Sequence, residues 1–158
     1  MQEMIDRALS EEQRMMRNTI RSFVDREVTP FILKNWEKEW DMKPENRPSR
    51  ELLEAAHRIG VRTLGIPEEF GGTPLDPKSE VQTFAMVAEE IARGDSGLAD
   101  KLVQIWKISK LLANIAPRHL QEQWFPRIVE DSSFLLAHCL TEPRGASDPG
   151  CPTTCRKR

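Results

Sequence analysis

Residues 76–115 read DPKSEVQTFAMVAEEIARGDSGLADKLVQIWKISKLLANI and predict two consecutive helices. Asp76 followed by Pro77 is typical of a helix start, because a capping side chain precedes a proline that needs no helical hydrogen bond. Gly94 is expected to end this helix. We expect one apolar stripe to face the core, formed by Val81, Phe84, Ala85, Ala88, Ile91 and Ala92.

The second helix of this stretch is predicted to begin at Asp95 and Ser96, both residue types that cap helices. It is rich in apolar residues and is expected either to bend or to restart before Leu111. Its predicted core residues are Leu98, Leu102, Val103, Ile105 and Trp106.

Upstream, Ser10 and Gln13 have the spacing of a capping box, and apolar residues then recur every three or four positions as far as Phe31. Pro30 is expected to kink or break this helix, since its ring crowds the preceding turn. Trp36 and Trp40 are four residues apart and are predicted to share a packing face.

Two further helices flank the central pair. Ser49 is expected to cap a helix whose inner face holds Leu52, Leu53, Ala56 and Ile59 and which ends at Gly60. Residues 61–76 hold several glycines and prolines and are predicted to be irregular. Pro117 is expected to open another helix that ends at Asp131.

The apolar run 134–140 is predicted to form one short strand. The sequence therefore indicates an all-α bundle of about five or six helices, with that strand near the C-terminal end. We expect a helical domain over residues 1–133, the start of a second domain over 134–148, and a disordered tail over 149–158, where periodicity is lost.

Composition narrows the class of protein. The 158 residues carry a net charge of -2, which gives no positive field to attract nucleic acid. Since no apolar run approaches the roughly 18 residues of a membrane span, we expect no span and a location in the cytoplasm or the mitochondrial matrix. Cys139, Cys151 and Cys155 are an odd number, which disfavours a disulfide framework. No second ligand pair accompanies them, so no metal site is predicted.

Residues 138–148, HCLTEPRGASD, have the composition of a loop that holds a polar ligand after a strand. Thr141 and Ser147 supply hydroxyl groups, and the backbone around Gly145 and Ala146 supplies free amides. A polar turn without a ligand would explain the same residues.

Five motifs, in order along the chain, resemble the N-terminal helical domain of the acyl-CoA dehydrogenases. They are LSEEQ at 9–13, GIPEEFGG at 65–72, EEIARGDSG at 89–97, QWFPRI at 123–128 and LTEP at 140–143. The order and spacing of these motifs carry the resemblance, since each one is short.

The resemblance implies a flavoenzyme that oxidises the Cα–Cβ bond of an acyl-CoA thioester, with FAD as hydride acceptor and an electron-transferring flavoprotein as partner. It implies that Thr141 lies near the flavin N5, with the backbone of Leu140 beside it. It also places Ser147 near the flavin pyrophosphate and the acyl-CoA, and it places His138 and Cys139 at the strand end that lines the same site.

The family's proton-abstracting base lies in a C-terminal domain, so no catalytic residue is predicted within these 158 residues. We expect the chain alone to be inactive, and a homo-oligomer only where the remaining domains are present. Ala146 stands where the family commonly has glycine, and its methyl group narrows the backbone angles available near the cofactor. The alternative interpretation is a non-catalytic helical interaction module that docks on a partner chain.

Overall fold

The computed structural model describes residues 9–39 and 50–139. Within these ranges the helices are α1 (Glu11–Phe23), a π-helical segment (Val24–Val28), α2 (Thr29–Glu39), α3 (Arg50–Arg58), α4 (Glu80–Ala92), α5 (Ser96–Ile115) and α6 (Arg118–Glu130). The π-helical segment joins α1 to α2 without a break, so the described chain forms five helical rods and no sheet. The predicted all-α helical bundle is confirmed.

The predicted capping box starts α1. Ser10 Oγ accepts a hydrogen bond from the Gln13 N–H over 3.1 Å, and Gln13 Oε1 accepts one from the Ser10 N–H over 2.9 Å. The Gln13 Nε2 also donates to Thr83 Oγ1 on α4 over 2.9 Å. One buried side chain therefore both caps α1 and connects it to α4.

Pro30 neither breaks the helix nor ends it. Its ring would crowd the carbonyl of Arg26, four residues earlier. The chain relieves this by widening into the π-helical segment, where the Thr29 N–H donates to Val24 O, five residues back. The helix then continues to Glu39. Trp36 is 54% exposed, so it is not part of the core of the described chain. Trp40 lies outside the described residues.

The central helices α4 and α5 make the most extensive contact between elements, and α1 packs against α4. Asp95 Oδ1 accepts from the Leu98 N–H and caps α5, as predicted. However, α5 is one unbroken 20-residue helix, so the restart before Leu111 does not occur. Residues Asp76 to Ser79 form a turn instead of a helical start, because Asp76 Oδ1 and O accept from the Lys78 and Ser79 N–H groups.

The hydrophobic core takes residues from every one of these helical segments. Its fully covered side chains include Ile20, Val24, Val28, Leu53, Ala56, Ile66, Val87, Ile91, Leu102, Ile105, Phe125 and Ile128. Burial of this many aliphatic and aromatic side chains is the main stabilising contribution to the bundle.

The buried face of α4 is not the predicted one. Val81 is 80% exposed, and Ala85 and Ala92 are exposed as well. Only Ile91 of the predicted stripe is fully buried, together with Thr83, Met86, Val87 and Glu90. The polar members of this face can be buried because α1 supplies partners: Gln13 for Thr83 and Arg21 for Glu90.

The irregular segment after α3 is held by a tight backbone arrangement. Gly60 ends the helix with φ +75°, as predicted. Leu64 and Thr73 form an isolated parallel bridge, with Gly65 N–H donating to Thr73 O over 2.8 Å. Between them the 3₁₀ turn Glu68–Phe70 brings Phe70 to 4.8 Å, ring centroid to centroid, from Phe125 on α6.

The predicted strand over 134–140 does not appear in the structure. Residues 134–139 have no regular secondary structure, and Leu140 lies outside the described residues. A strand requires a neighbour to accept and donate its backbone hydrogen bonds, and no other strand is found in residues 9–39 and 50–139. No described helix is long and apolar enough to cross a membrane.

Candidate functional site at the end of the helical bundle

The segment from Asp131 to Cys139, here called the exit segment, leads from α6 towards the predicted cofactor loop. It opens with a turn in which Asp131 Oδ1 accepts from both the N–H and the Oγ of Ser133, over 2.8 and 2.6 Å. The Phe134 N–H then donates to Asp131 O over 3.0 Å. These hydrogen bonds from Ser133, and to a lesser degree the charge of Arg62, lower the pKa of Asp131.

Side chains of the exit segment alternate between packed and exposed positions. Phe134 and Leu136 pack against the core, whereas Leu135 is 39% exposed. Phe134 also lies 6.3 Å, centroid to centroid, from Trp124 on α6. This period of two is that of an extended chain with one face on an apolar surface. The exit segment is thus extended and anchored, although no partner strand pairs with it in the described part of the chain.

Arg62 contacts both sides of the turn at Asp131. Its side chain is fully buried, with 0% exposure, and its two terminal nitrogens donate to Ile128 O on α6 and to Phe134 O in the exit segment. Burial lowers the pKa of Arg62, while the charge of Asp131 opposes that shift. Nothing in the sequence marked Arg62 for this role, because its partners are backbone atoms 66 and 72 residues away.

The predicted cofactor-binding residues fall at or beyond the end of the described chain. His138 and Cys139 close the exit segment, and both are exposed. Leu140, Thr141 and Ser147 lie outside the described residues, so their predicted roles stay predictions. Among the described residues no group of three or more His, Cys, Asp or Glu side chains is placed to hold a metal ion.

A second candidate feature is an apolar groove between α4 and α5, of about 530 Å³. Phe84 stacks on Trp106 at its floor, with ring centroids 5.4 Å apart. The other apolar lining residues are Val81, Ala85, Ala88 and Val103. Four of the six residues predicted for the buried stripe of α4 therefore line this open groove.

Polar groups fix the edges of the groove. Lys110 Nζ lies 2.7 Å from Glu80 Oε1 across one end, and Lys107 lines the same side. Trp106 Nε1 donates to Val61 O over 2.8 Å, which orients the indole ring. A Cβ at Gly65 would lie 2.6 Å from Phe84 Cζ, and Gly65 has φ +76°, so glycine is required for this close approach.

Known proteins resemble this chain over most of its length. Residues 10–132 match the family model described as acyl-CoA dehydrogenase, N-terminal domain. The chain is 32% identical over 142 residues to (2S)-methylsuccinyl-CoA dehydrogenase of Cereibacter sphaeroides, which covers 90% of this chain and 24% of that protein.

Two further relatives agree. Glutaryl-CoA dehydrogenase of Desulfococcus multivorans is 28% identical, over 91% of this chain and 35% of its own length. The mitochondrial isovaleryl-CoA dehydrogenase of Pongo abelii is 28% identical, over 89% of this chain and 31% of its own length. The chain thus spans about a quarter to a third of the curated relatives that it matches. Together with the helical bundle, the family match over residues 10–132 establishes that this chain belongs to the acyl-CoA dehydrogenase family, within its N-terminal domain.

Proposed function

We propose that the chain supplies the helical domain and the first wall of a flavin site in an acyl-CoA dehydrogenase, which oxidises the Cα–Cβ bond of an acyl-CoA thioester. The observation that supports this most directly is the exit segment. It is extended, anchored to the bundle at Phe134 and Leu136, and it ends with exposed His138 and Cys139 immediately before the Leu140–Thr141 motif. A rigid bundle that presents a polar loop is a suitable platform for a cofactor.

The donor groups of the proposed wall fit the chemistry of a flavin. The Thr141 hydroxyl and the backbone amides near it would donate to the ring edge, where the reduced cofactor gathers negative charge. The hydroxyl of Ser147 would serve the pyrophosphate of FAD and the acyl-CoA. When bound, FAD supplies the two-electron acceptor that no side chain provides.

We further propose that these 158 residues do not turn over by themselves. The chain spans 24% to 35% of the length of the relatives compared above, and the resemblance implies that the proton-abstracting base comes from another domain. Reoxidation by an electron-transferring flavoprotein, homo-oligomer formation and a location in the cytoplasm or mitochondrial matrix belong to the same proposal.

Titration of the purified chain with FAD, followed by flavin fluorescence, tests the proposed wall. We expect saturable binding that Thr141→Ala weakens about fivefold to tenfold, because one hydrogen bond contributes about 1 kcal/mol. Thr153→Ala removes a similar hydroxyl from the predicted tail and serves as the matched control. Equal binding by both variants, or no saturable binding, contradicts the assignment, and steady reduction of a dye by isovaleryl-CoA contradicts the proposed inactivity.

The groove between α4 and α5 favours the second candidate function, a helical module that docks on a partner. Val81 and Ala85 of its apolar lining are exposed, although α4 and α5 make the most extensive contact between elements of the bundle. An apolar surface of this kind binds the dye 8-anilinonaphthalene-1-sulfonate and promotes association. A chain that stays monomeric in sedimentation and binds no dye would exclude this candidate, without bearing on the flavin proposal.

A further inference from the structure

Arg62 places a charged guanidinium group in the interior of the helical bundle. It is fully covered, and the groups that the structure describes around its charge are the carboxylate of Asp131 and two backbone carbonyl oxygens. Its Nε has no hydrogen-bond partner among residues 9–39 and 50–139. Burying an arginine side chain is costly unless it is paired and hydrogen-bonded, so its two carbonyl partners must offset that cost.

The two carbonyl groups that Arg62 binds belong to different parts of the chain. Ile128 O is one of the last four carbonyl oxygens of α6, which have no partner within the helix. Phe134 O lies three residues beyond Asp131, at the first packed position of the exit segment. A planar guanidinium that binds both fixes the angle between the helix and the chain that leaves it.

Other contacts near the turn do not fix this angle. The hydrogen bonds from Ser133 and Phe134 to Asp131 are local and close only the turn itself. The packing of Phe134 and Leu136 is apolar and lacks direction. The Asp131 N–H donates to Arg127 O, but this bond only ends α6. Beyond the turn, the directed hydrogen bond between the bundle and the backbone of the exit segment, in the part of the chain that the structure describes, is the one from Arg62 to Phe134 O.

We propose that Arg62 is a positioning residue: it sets the direction in which the exit segment leaves the bundle and thereby orients its end, His138 and Cys139, toward the proposed flavin site. The second half of this statement rests on the proposed function, whereas the first half does not. Arg62 touches neither substrate nor cofactor in this scheme and acts only through the backbone of Phe134.

The test measures the direction and order of the exit segment without any flavin. In a Cys151→Ser, Cys155→Ser background, spin labels are attached to Cys139 and to Glu54→Cys on the exposed face of α3, and the distance distribution between them is recorded by pulsed electron paramagnetic resonance. Arg62→Met removes both donors at similar length, Arg62→Lys retains one charged donor, and Arg118→Met removes an exposed arginine on α6 as the matched control.

With Arg62 present, a single narrow distribution is expected. Arg62→Met should widen it at least about twofold, since the segment then samples several directions, and Arg62→Lys should fall between the two. Amide exchange provides the second measurement: the rate at Ser133 and Phe134, divided by that at Ile91, should rise about tenfold in Arg62→Met.

A purely structural role would speed exchange at all three amides equally, through global unfolding, and would leave the width of the distribution unchanged. That result in the folded Arg62→Lys variant, or an equal effect of Arg118→Met, overturns the proposal. Failure of FAD to bind would contradict the proposed function. It would not affect the test of Arg62, because neither the distance measurement nor the exchange measurement includes flavin.

Discussion

The two faces of α4 differ in a way that composition does not suggest. The inner face carries Thr83 and Glu90, both buried, whereas the outer face carries Val81 and Ala85, both exposed. Polar groups are buried because partners on α1 satisfy them, and apolar groups are exposed because nothing among the described residues covers them. Burial in this bundle is therefore decided by what lies opposite a side chain, and not by its hydropathy alone.

The largest effect is expected at Ile91 on the inner face. Ile91→Ala removes a fully buried side chain and leaves a cavity, so the free energy of unfolding should fall by about 2–5 kcal/mol. Urea denaturation followed by circular dichroism measures the change. A loss comparable to that of an exposed alanine substitution would show that the inner face is not the packed one.

An intermediate effect is expected at Glu90, whose side chain is 7% exposed and pairs with Arg21 on α1. Glu90→Gln keeps the shape but removes the charge, and the free energy of unfolding should fall by about 1–2 kcal/mol, since Arg21 is 41% exposed and can be partly hydrated. A double-mutant cycle with Arg21→Met separates the pair from other contacts. A coupling energy near zero would mean that the buried carboxylate is not satisfied by α1.

The smallest effect on stability is expected at Val81 on the outer face. Val81→Ser changes a side chain that is 80% exposed, so the free energy of unfolding should change by less than about 0.5 kcal/mol. Dye binding to the groove should nevertheless decrease, because Val81 lines it. Strong destabilisation would show that the outer face of α4 is covered in solution. The two faces of α4 would then not differ in burial as described above.

Local signals predicted several helix ends correctly, although the start predicted at Asp76 is a turn. The capping box at Ser10, the left-handed Gly60, and Asp95 as the cap of α5 each depend on residues within three or four positions of one another. The sequence contains all the groups needed for such short-range hydrogen bonds. The motifs that indicated the family are likewise short, local stretches of sequence.

Long-range features were not predictable in this way. The buried face of α4 depends on Gln13 and Arg21, which lie about 70 residues earlier in the sequence. The contact of Arg62 with Phe134 spans 72 residues and involves only a backbone acceptor, which no sequence pattern identifies. The prediction of a strand over 134–140 was wrong for the same reason, since an extended apolar segment becomes a strand only where a second strand lies beside it.

The widened turn at Val24–Val28 has a consequence for which residues can replace one another. It brings Val24 Cγ1 to 2.6 Å and Val28 Cγ1 to 3.1 Å from the place where a Cβ would stand on Gly94. Positions 24 and 94 therefore share one small volume, although 70 residues separate them in the chain. A methyl group gained at 94 therefore requires a smaller side chain at 24 if this shape is to be kept.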